Sequence, residues 1–252
     1  MSHQVVHMCP TAMGSSHWLE PVRATLDAAA APVDVFFRDD DAGWGDGRLI
    51  ELLDLFASRG LPVDVAVIPA ALSAGLAGEL RDRVSASGGR LRLHQHGYSH
   101  VNHETVGRKC EFGVARTRVE QARDIAAGRE RLAELLGEAV DPIFTPPWNR
   151  CTPSTGHCLA ELGFRALSRE ARAVPLAVAG LAELPVRVDW VRLAVDELAS
   201  RLAEAFACGA PAGVMFHHAV MDGADMRRAG ELLSLVADHP RARASGMAAL
   251  VG

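Results

Sequence analysis

Several features that mark whole classes of protein are scarce or missing in this sequence of 252 residues. Lys109 is the only lysine, and the net charge of −5 gives no basic surface of the kind that nucleic-acid binding requires. The five cysteines are widely spaced without a C-x-x-C pair, which argues against a disulfide framework or a thiolate zinc site. The apolar runs are too short to span a membrane, and residues 1–32 lack the pattern of a secretory signal. We therefore expect a soluble, cytoplasmic protein that does not bind nucleic acid.

Short apolar runs alternate with amphipathic helical patterns along most of the chain. With 49% hydrophobic residues, the chain can bury a sizeable core. The alternation predicts one α/β domain with a mainly parallel sheet, in which residues 1–32 form an N-terminal extension and the core covers about 33–240. Strands are predicted at 33–38, 63–68, 89–93, 143–145, 164–167, 184–188 and 213–216, and helices at 17–30, 49–56, 72–84, 115–136, 155–162, 195–207 and 225–237. Ser15-Ser16 is expected to cap the first helix, with Pro21 in its first turn. The helix at 72–84 is expected to be interrupted at Gly75 and Gly78, and the helix at 115–136 to stop at Gly137.

Polar residues of unusual type follow the ends of five predicted strands. These segments are Asp39-Asp40-Asp41, the histidine-rich run from His94 to Glu104, Pro146-Pro147-Trp148, Asp189-Trp190 and His217-His218. In parallel α/β folds the carboxyl ends of the strands meet on one face, where active sites form. Because five independent coincidences would otherwise be needed, we interpret the five segments as parts of one site.

The histidine-rich run and the three aspartates together indicate a metal. His96 and His100 are four residues apart, so one helical turn would direct both imidazoles to the same side, as a pair of metal ligands requires. Three consecutive carboxylates repel one another unless a cation or arginines neutralise them. A turn or helix cap would need only one aspartate, so the run favours a charged site.

In this order, the five segments resemble the motifs of the polysaccharide deacetylases with a NodB homology domain, also known as carbohydrate esterase family 4. The resemblance extends from about Val33 to His218. It implies a distorted (β/α) barrel, a TIM-like fold of about seven parallel strands. It also implies one divalent metal ion, commonly zinc with cobalt, manganese, nickel or iron as alternatives, held by one aspartate and two histidines. The implied reaction is hydrolysis of N-acetyl groups, or in some members of O-acetyl or other amide groups.

Matching the motifs residue by residue assigns the implied roles. Asp41, His96 and His100 match the metal ligands, Asp40 matches the general base and His217 the general acid. Two alternatives stay open. A shifted register would make Asp39 the base and Asp40 the ligand, and His218 competes with His217 because only one of two neighbours in a strand faces inward.

The chain departs from the family pattern at two positions. Thr145 stands where the third motif has an arginine that pairs with the base, and Val186 replaces the first aspartate of the fourth motif. Arg38 and Arg150 are candidate replacements for the missing arginine, since a nearby guanidinium keeps a carboxylate ionised. Arg38 is favoured slightly, because strand alternation places it on the same face as Asp40.

The function that these residues predict is a metal-dependent hydrolase that removes an acetyl group from an N-acetylated sugar or polysaccharide precursor. Substrate contacts are expected from Trp148, Trp190, Asn149 and Arg150, although each tryptophan could equally well pack in the core. Two alternatives remain. One is a non-catalytic, metal-containing carbohydrate-binding relative, and the other is a different metal-dependent barrel hydrolase such as a phosphoesterase, for which the chain offers no glycine-rich phosphate loop. The sequence leaves the oligomeric state open.

Overall fold

The computed structural model describes residues 17–251, apart from the side chain of Arg192, and its centre is a curled parallel sheet. Eight strands run in the order β6-β5-β4-β3-β2-β1-β8-β7, and β9 pairs with the start of β1. The strands are β1 Val33–Ala42, β2 Val63–Val67, β3 Leu91–His96, β4 Val140–Thr145, β5 Ala166–Leu167, β6 Ala182–Glu183, β7 Val186–Asp189, β8 Ala212–Phe216 and β9 Ala242–Ala244. The predicted distorted (β/α) barrel is confirmed.

Helices connect the strands and cover the outside of the sheet. They are α1 Glu20–Ala28, α2 Asp46–Ala57, α3 Ala74–Ala86, α4 Arg118–Leu136, α5 Pro153–Glu161, α6 Val195–Phe206, α7 Gly223–Asp238 and α8 Met247–Leu250. The predicted cap of α1, Ser15-Ser16, lies outside the described residues, whereas Pro21 occupies the first turn as expected. The stop of α4 at Gly137 is confirmed, with a φ of 62°.

Strand alternation in β1 separates two hydrophobic clusters. Val35 and Phe37 pack in the large cluster between the sheet and the helices, while Phe36 packs with Ile143 and Met215 in a second cluster. Both clusters are closed to solvent. A charged residue that comes next along β1 is therefore buried too, whichever face of the strand its side chain lies on. This arrangement sends Arg38 and Asp40 to the face of Phe36, and Asp39 to the face of Phe37.

Four predictions about local structure are corrected. Strand β1 continues through the three aspartates to Ala42, and β3 continues through His94 to His96, because both extensions pair with neighbouring strands. Helix α3 is not interrupted at Gly75 and Gly78, since tertiary packing overrides the weak helix preference of glycine. The core also continues past residue 240, where β9 pairs with β1 and Met247 is fully buried.

The edge strand β7 is joined to the segment that follows β5. Glu170 forms an isolated parallel bridge with Val186, and the backbone N–H of Ala171 donates to the Val186 carbonyl at 2.8 Å. This contact brings the two ends of the curled sheet together. Between residues 17 and 251, none of the helices combines the length and apolarity needed to cross a bilayer, and the four cysteines in this range are free.

Gly213 in β8 offers a test of how tightly the sheet packs. A Cβ at this position would lie 2.3 Å from Cζ of Phe36 and 2.9 Å from the backbone of Val186. We expect Gly213→Ala to lower the free energy of unfolding by about 1–3 kcal/mol, the usual cost of overpacking. Chemical denaturation measures this, and Gly78→Ala is the control. Gly78 has open space around it within α3, so the same substitution should stabilise the protein slightly.

Candidate metal centre and active site

Asp41 is turned toward the histidines by an irregularity at the end of β1. The pairing of β1 with β2 shifts register between Asp39 and Ala42, and Asp41 has a φ of 72°, which is rare for a residue other than glycine. Regular alternation would aim Asp41 to the same side as Asp39. The bulge instead re-aims its carboxylate, so that Oδ1 lies 3.1 Å from Nε2 of His96 and 3.2 Å from Nε2 of His100.

His96 is the last residue of β3 and is fully buried. Its Nδ1 lies 3.0 Å from the carbonyl oxygen of Thr145 in the neighbouring strand, so Nδ1 donates the hydrogen bond. In the neutral ring, Nε2 then carries a lone pair and faces the Asp41 oxygen. An outer hydrogen bond that fixes the tautomer in this way is typical of metal-binding histidines.

His100 is positioned by a loop and not by the predicted helical turn. Gly97 and His100 both have left-handed φ values, 56° and 57°, so the chain reverses sharply after β3. The buried Glu111 holds this loop, because its carboxylate accepts from the backbone N–H of Ser99 at 2.7 Å and of Tyr98 at 3.3 Å. A Cβ at Gly97 would lie 2.2 Å from Oε2 of Glu111, so only glycine fits there.

The three side chains suit a divalent cation. Their ligand atoms all lie within 4.8 Å of one another, and the set of one carboxylate and two imidazoles is that of many zinc sites. Burial opposes ionisation of Asp41, yet its hydrogen bonds with His100 and His96 hold its pKa well below the usual range. Burial likewise lowers the pKa of His96, but the contact with Asp41 outweighs burial and raises it. The site therefore attracts positive charge, which a metal ion can supply.

Asp40 forms a buried ion pair with Arg38, so the predicted contact between Arg38 and this carboxylate is confirmed. Nε of Arg38 lies 2.8 Å from Oδ1 of Asp40, and Nη2 donates to Oδ2 at 2.9 Å. Burial alone would raise the pKa of Asp40, but the Arg38 guanidinium holds it below its ordinary value. The other contacts of the guanidinium are Ser168 Oγ at 2.8 Å, Asn149 Oδ1 at 2.7 Å and Met215 Sδ.

Thr145, which stands in place of the family arginine, contacts a different residue. Its Oγ1 lies 2.9 Å from Nε2 of the buried His94. Burial, together with the nearby charge of Arg38, lowers the pKa of His94 to about 3 and keeps the ring neutral. His94 and Thr145 therefore form a neutral pair beside the ion pair of Arg38 and Asp40.

His217 and His218 face in different directions. Nδ1 of His217 lies 3.6 Å from Oδ1 of Asp189, and the ring is close enough to Asp40 and Asp41 to feel their charges. Burial would lower the pKa of His217, but the nearby carboxylates of Asp189, Asp40 and Asp41 raise it overall. This orientation agrees with the register in which His217 belongs to the site.

His218 pairs with Asp39 on the outer side of β1. Its Nδ1 lies 2.6 Å from Oδ2 of Asp39, both side chains are fully buried, and Nε2 lies 2.7 Å from the carbonyl of Trp44. Despite burial, the charge of Asp39 raises the pKa of His218 to about 9, so the pair is ionic. No local pattern in the sequence indicated this pair, which also holds the turn that carries Trp44.

Two tryptophans flank His100. The ring centroid of Trp148 lies 4.5 Å from that of His100, and the centroid of Trp44, which is 42% exposed, lies 4.7 Å away. Trp148 thus lies beside the candidate metal ligands, and its contact with substrate stays a prediction. Trp44 was missed, although its place three residues after Asp41 was a signal that could have identified it.

The expectation that Trp190 contacts substrate is corrected. Its ring is 1% exposed and packs at 5.1 Å from Phe216 and 6.1 Å from Trp18, so it belongs to the core. The other two predicted contacts line clefts beside the site. Asn149 is largely occupied by its hydrogen bond to Arg38, and Arg150 donates to the carbonyl of Lys109 at 2.8 Å.

The loop that carries His100 gives a prediction about Glu111. In Glu111→Gln one side-chain oxygen must replace the two that accept from the backbone of Tyr98 and Ser99, so His100 should be held less firmly. Loss of such supporting contacts typically weakens metal affinity by about 10–100-fold. Titration with Co²⁺, followed by its visible absorption, measures the change. The matched control is Glu104→Gln, whose carboxylate accepts from the N–H of Ala115 and should leave metal affinity unchanged.

No protein-family model and no curated protein matches this chain, whereas solved structures do. A proposed polysaccharide deacetylase from Mycobacterium smegmatis superposes with a TM-score of 0.66 at 16% identity over 89% of this chain and 90% of that one. A family 4 pseudoenzyme from Bacillus anthracis has a TM-score of 0.61 at 14% identity, covering 88% of this chain and 66% of the other.

A third similar structure is a family 4 acetyl xylan esterase from Clostridium thermocellum, in complex with a cobalt ion. The superposition has a TM-score of 0.60 at 12% identity, and it covers 86% of this chain and 89% of the esterase chain. The sequence identities are low, so these likenesses establish the architecture and not the reaction. This chain has the fold of the polysaccharide deacetylases and the family 4 carbohydrate esterases.

Proposed function

We propose that this protein is a metal-dependent deacetylase that hydrolyses the N-acetyl group of a sugar or polysaccharide precursor. The observation that carries the proposal is the meeting of three groups at the carboxyl ends of β1, β3 and β8. These groups are the ligand set of Asp41, His96 and His100, the pair of Asp40 and Arg38, and the pair of His217 and Asp189. Each group corresponds to one requirement of amide hydrolysis.

Asp41, His96 and His100 would hold the ion. A divalent ion bound there supplies a Lewis acid for the amide carbonyl and lowers the pKa of water toward roughly 7. We propose zinc as that ion, because a mixed set of oxygen and nitrogen ligands suits it, and cobalt, manganese, nickel and iron are alternatives.

Asp40 would accept a proton from the attacking water. A general base must be ionised before the reaction and must point at the proton that it removes. The Arg38 guanidinium meets both needs, since its charge keeps Asp40 ionised and its two contacts fix the orientation of the carboxylate. Ser168 and Asn149 in turn hold the guanidinium in place.

His217 would deliver a proton to the departing amine. An amine is a poor leaving group until it is protonated, so the reaction requires a general acid near the site. The raised pKa of His217 keeps the ring protonated to a higher pH than an ordinary histidine. Asp189 at 3.6 Å orients the ring in the same way as a carboxylate orients the histidine of other hydrolases.

The substrate would lie between Trp44 and Trp148. Indole rings offer flat apolar surfaces that match the faces of a pyranose ring or an acetyl methyl group. A small precursor, and not a finished polymer, agrees with the cytoplasmic location that the sequence predicts.

The first prediction from this function concerns the metal. Protein purified without chelator should contain close to one equivalent of divalent ion, measured by elemental analysis. We expect His96→Ala and His100→Ala each to remove it, because two remaining ligands bind weakly. His157→Ala, an exposed histidine on α5, is the control and should retain the metal. Full occupancy in the double variant of His96 and His100 would contradict the assignment.

The second prediction concerns the proton relay. Asp40→Asn and His217→Ala should retain the fold and the metal but lose activity on an N-acetylated sugar by roughly 10²–10⁴-fold, as removal of a general acid or base does. Asp82→Asn, at an exposed position of α3, should be fully active. If His218→Ala were folded and inactive while His217→Ala stayed active, the register at the end of β8 would be wrong by one residue.

The relay test also separates the proposal from its alternative. A non-catalytic carbohydrate-binding protein would retain the metal and bind N-acetylated sugars without releasing acetate. Acetate release by the metal-loaded protein, lost in Asp40→Asn, supports the deacetylase. Sugar binding without any acetate release would favour the non-catalytic relative.

A further inference from the structure

An arginine-rich groove leads away from the candidate active site. Two adjoining cavities, of about 200 Å³ and about 420 Å³, share Arg108, Asn149, Glu170 and Arg172 in their walls. Trp148, whose ring contacts that of His100, lines the smaller cavity together with Asp189, the partner of His217. The groove therefore begins where the proposed reaction takes place.

The lining of the groove carries more positive than negative charge. Six arginines line the two cavities, against the three carboxylates of Glu104, Glu170 and Asp189. This excess occurs in a chain whose net charge is −5, so the groove differs in sign from the protein as a whole. A local field of this kind attracts anions and raises their rate of association.

Three of the six arginines already have partners. Arg169 pairs with Glu183, Arg201 pairs with Glu197 and Glu204, and Arg150 donates to the carbonyl of Lys109. The other three are Arg108, Arg172 and Arg187. All three are exposed, and none forms an ion pair with a residue in the described part of the chain.

The backbone fixes where two of these arginines lie. Arg187 lies in β7 at a register shift between Val186 and Val188, and its exposed side chain lines the smaller cavity together with Asp189. Arg172 lies in a turn closed by a hydrogen bond of 3.0 Å from the N–H of Ala173 to the carbonyl of Glu170. The bridge between Glu170 and Val186 holds this turn beside β7. Arg172 and Arg187 are thus brought to one groove by the contact that joins the ends of the sheet.

We propose that the groove binds an anionic group, a phosphate or a carboxylate, carried by the N-acylated sugar. The inference rests on the proposed deacetylase function and narrows its substrate class to acidic saccharides. Guanidinium groups form paired hydrogen bonds with the oxygens of phosphates and carboxylates, a geometry that neutral hydroxyls do not share. The acetamido group would lie at the metal ligands, and the anionic group would extend past Trp148 toward Arg172 and Arg187.

Equilibrium binding tests this inference independently of turnover. The metal-loaded protein is titrated by calorimetry with N-acetylglucosamine, with its 1-phosphate, and with the corresponding N-acetylated uronic acid. Because hydrogen bonds between charged groups are worth about a tenfold change in affinity each, we expect the 1-phosphate to bind at least tenfold more tightly than the neutral sugar. The uronic acid shows whether a carboxylate is accepted as well.

Two variants and a metal-free arm make the test specific. The double variant Arg172→Gln, Arg187→Gln should lose most of the preference for the anionic sugar, while Arg241→Gln should retain it. Arg241 is exposed, and its backbone carbonyl accepts from the N–H of Val33 at the opposite end of β1, so its side chain lies far from the groove and it is a matched control. Titration after removal of the metal distinguishes arginine binding from coordination of phosphate to the ion. The preference should persist without metal, and it should weaken as salt is added.

The outcomes separate this inference from the proposed function. Equal affinity for the neutral and anionic sugars, an unchanged preference in the double variant, or a preference that disappears with the metal would each overturn the anionic groove. Tighter binding of the 1-phosphate alone identifies phosphate as the anionic group that the groove binds. Tighter binding of both anionic sugars shows that the groove binds a carboxylate as well. If anionic sugars bind through the arginines but no acetate is released from any of them, the deacetylase proposal fails and the groove stands.

Discussion

The organising constraint of this structure is that β1 carries four charged residues in succession, of which three are fully buried and Asp41 is partly buried. Arg38, Asp39 and Asp40 are at most 1% exposed, and burial of unpaired charges costs several kcal/mol each. Strand alternation and the bulge send each aspartate to a different partner. Asp39 meets His218, Asp40 meets Arg38, and Asp41 meets His96 and His100. Three like charges in sequence are thereby tolerated, because each of them has its own nearest partner.

These pairings connect the site to the rest of the fold. The ion pair of Asp39 and His218 lies on the helix side of the sheet, and His218 contacts the backbone carbonyl of Trp44. A buried ion pair on one face of the sheet thereby positions an aromatic residue beside the site on the other face. Arg38 is held by Ser168 after β5 and by Asn149 after β4, which ties its orientation to distant strands. Glu111 likewise holds the loop that carries His100, through its hydrogen bonds from the backbone of Tyr98 and Ser99. The geometry of the site is therefore a property of the whole sheet.

Structural likeness alone does not decide activity, since a pseudoenzyme of Bacillus anthracis shares this fold along with an acetyl xylan esterase. The reasons to propose a deacetylase lie in the side chains. The arginine that pairs with Asp40, the candidate base, comes here from β1, two residues before it, while the last residue of β4 is the neutral Thr145, which contacts His94. The candidate base is therefore paired with an arginine, although Thr145 stands where the third motif of the family has one. The sequence left Arg38 and Arg150 as candidates for this contact, and the distances between side chains decide for Arg38.

The sequence by itself determined the alternation of strands and helices and the five segments at strand ends, because hydrophobic periodicity and residue type are local properties. The barrel was implied by the resemblance of those ordered segments to the motifs of a known family. It also favoured Arg38, since alternation along one strand is readable from sequence. The bulge at Asp41, the turn at His100, the pair of Asp39 and His218, the burial of Trp190 and the positions of Trp44, Arg172 and Arg187 were decided only by the tertiary structure. Each of these depends on which strands and loops meet in space. A residue's partners there lie up to 179 positions away along the chain, as for Asp39 and His218, and no local pattern encodes such a contact.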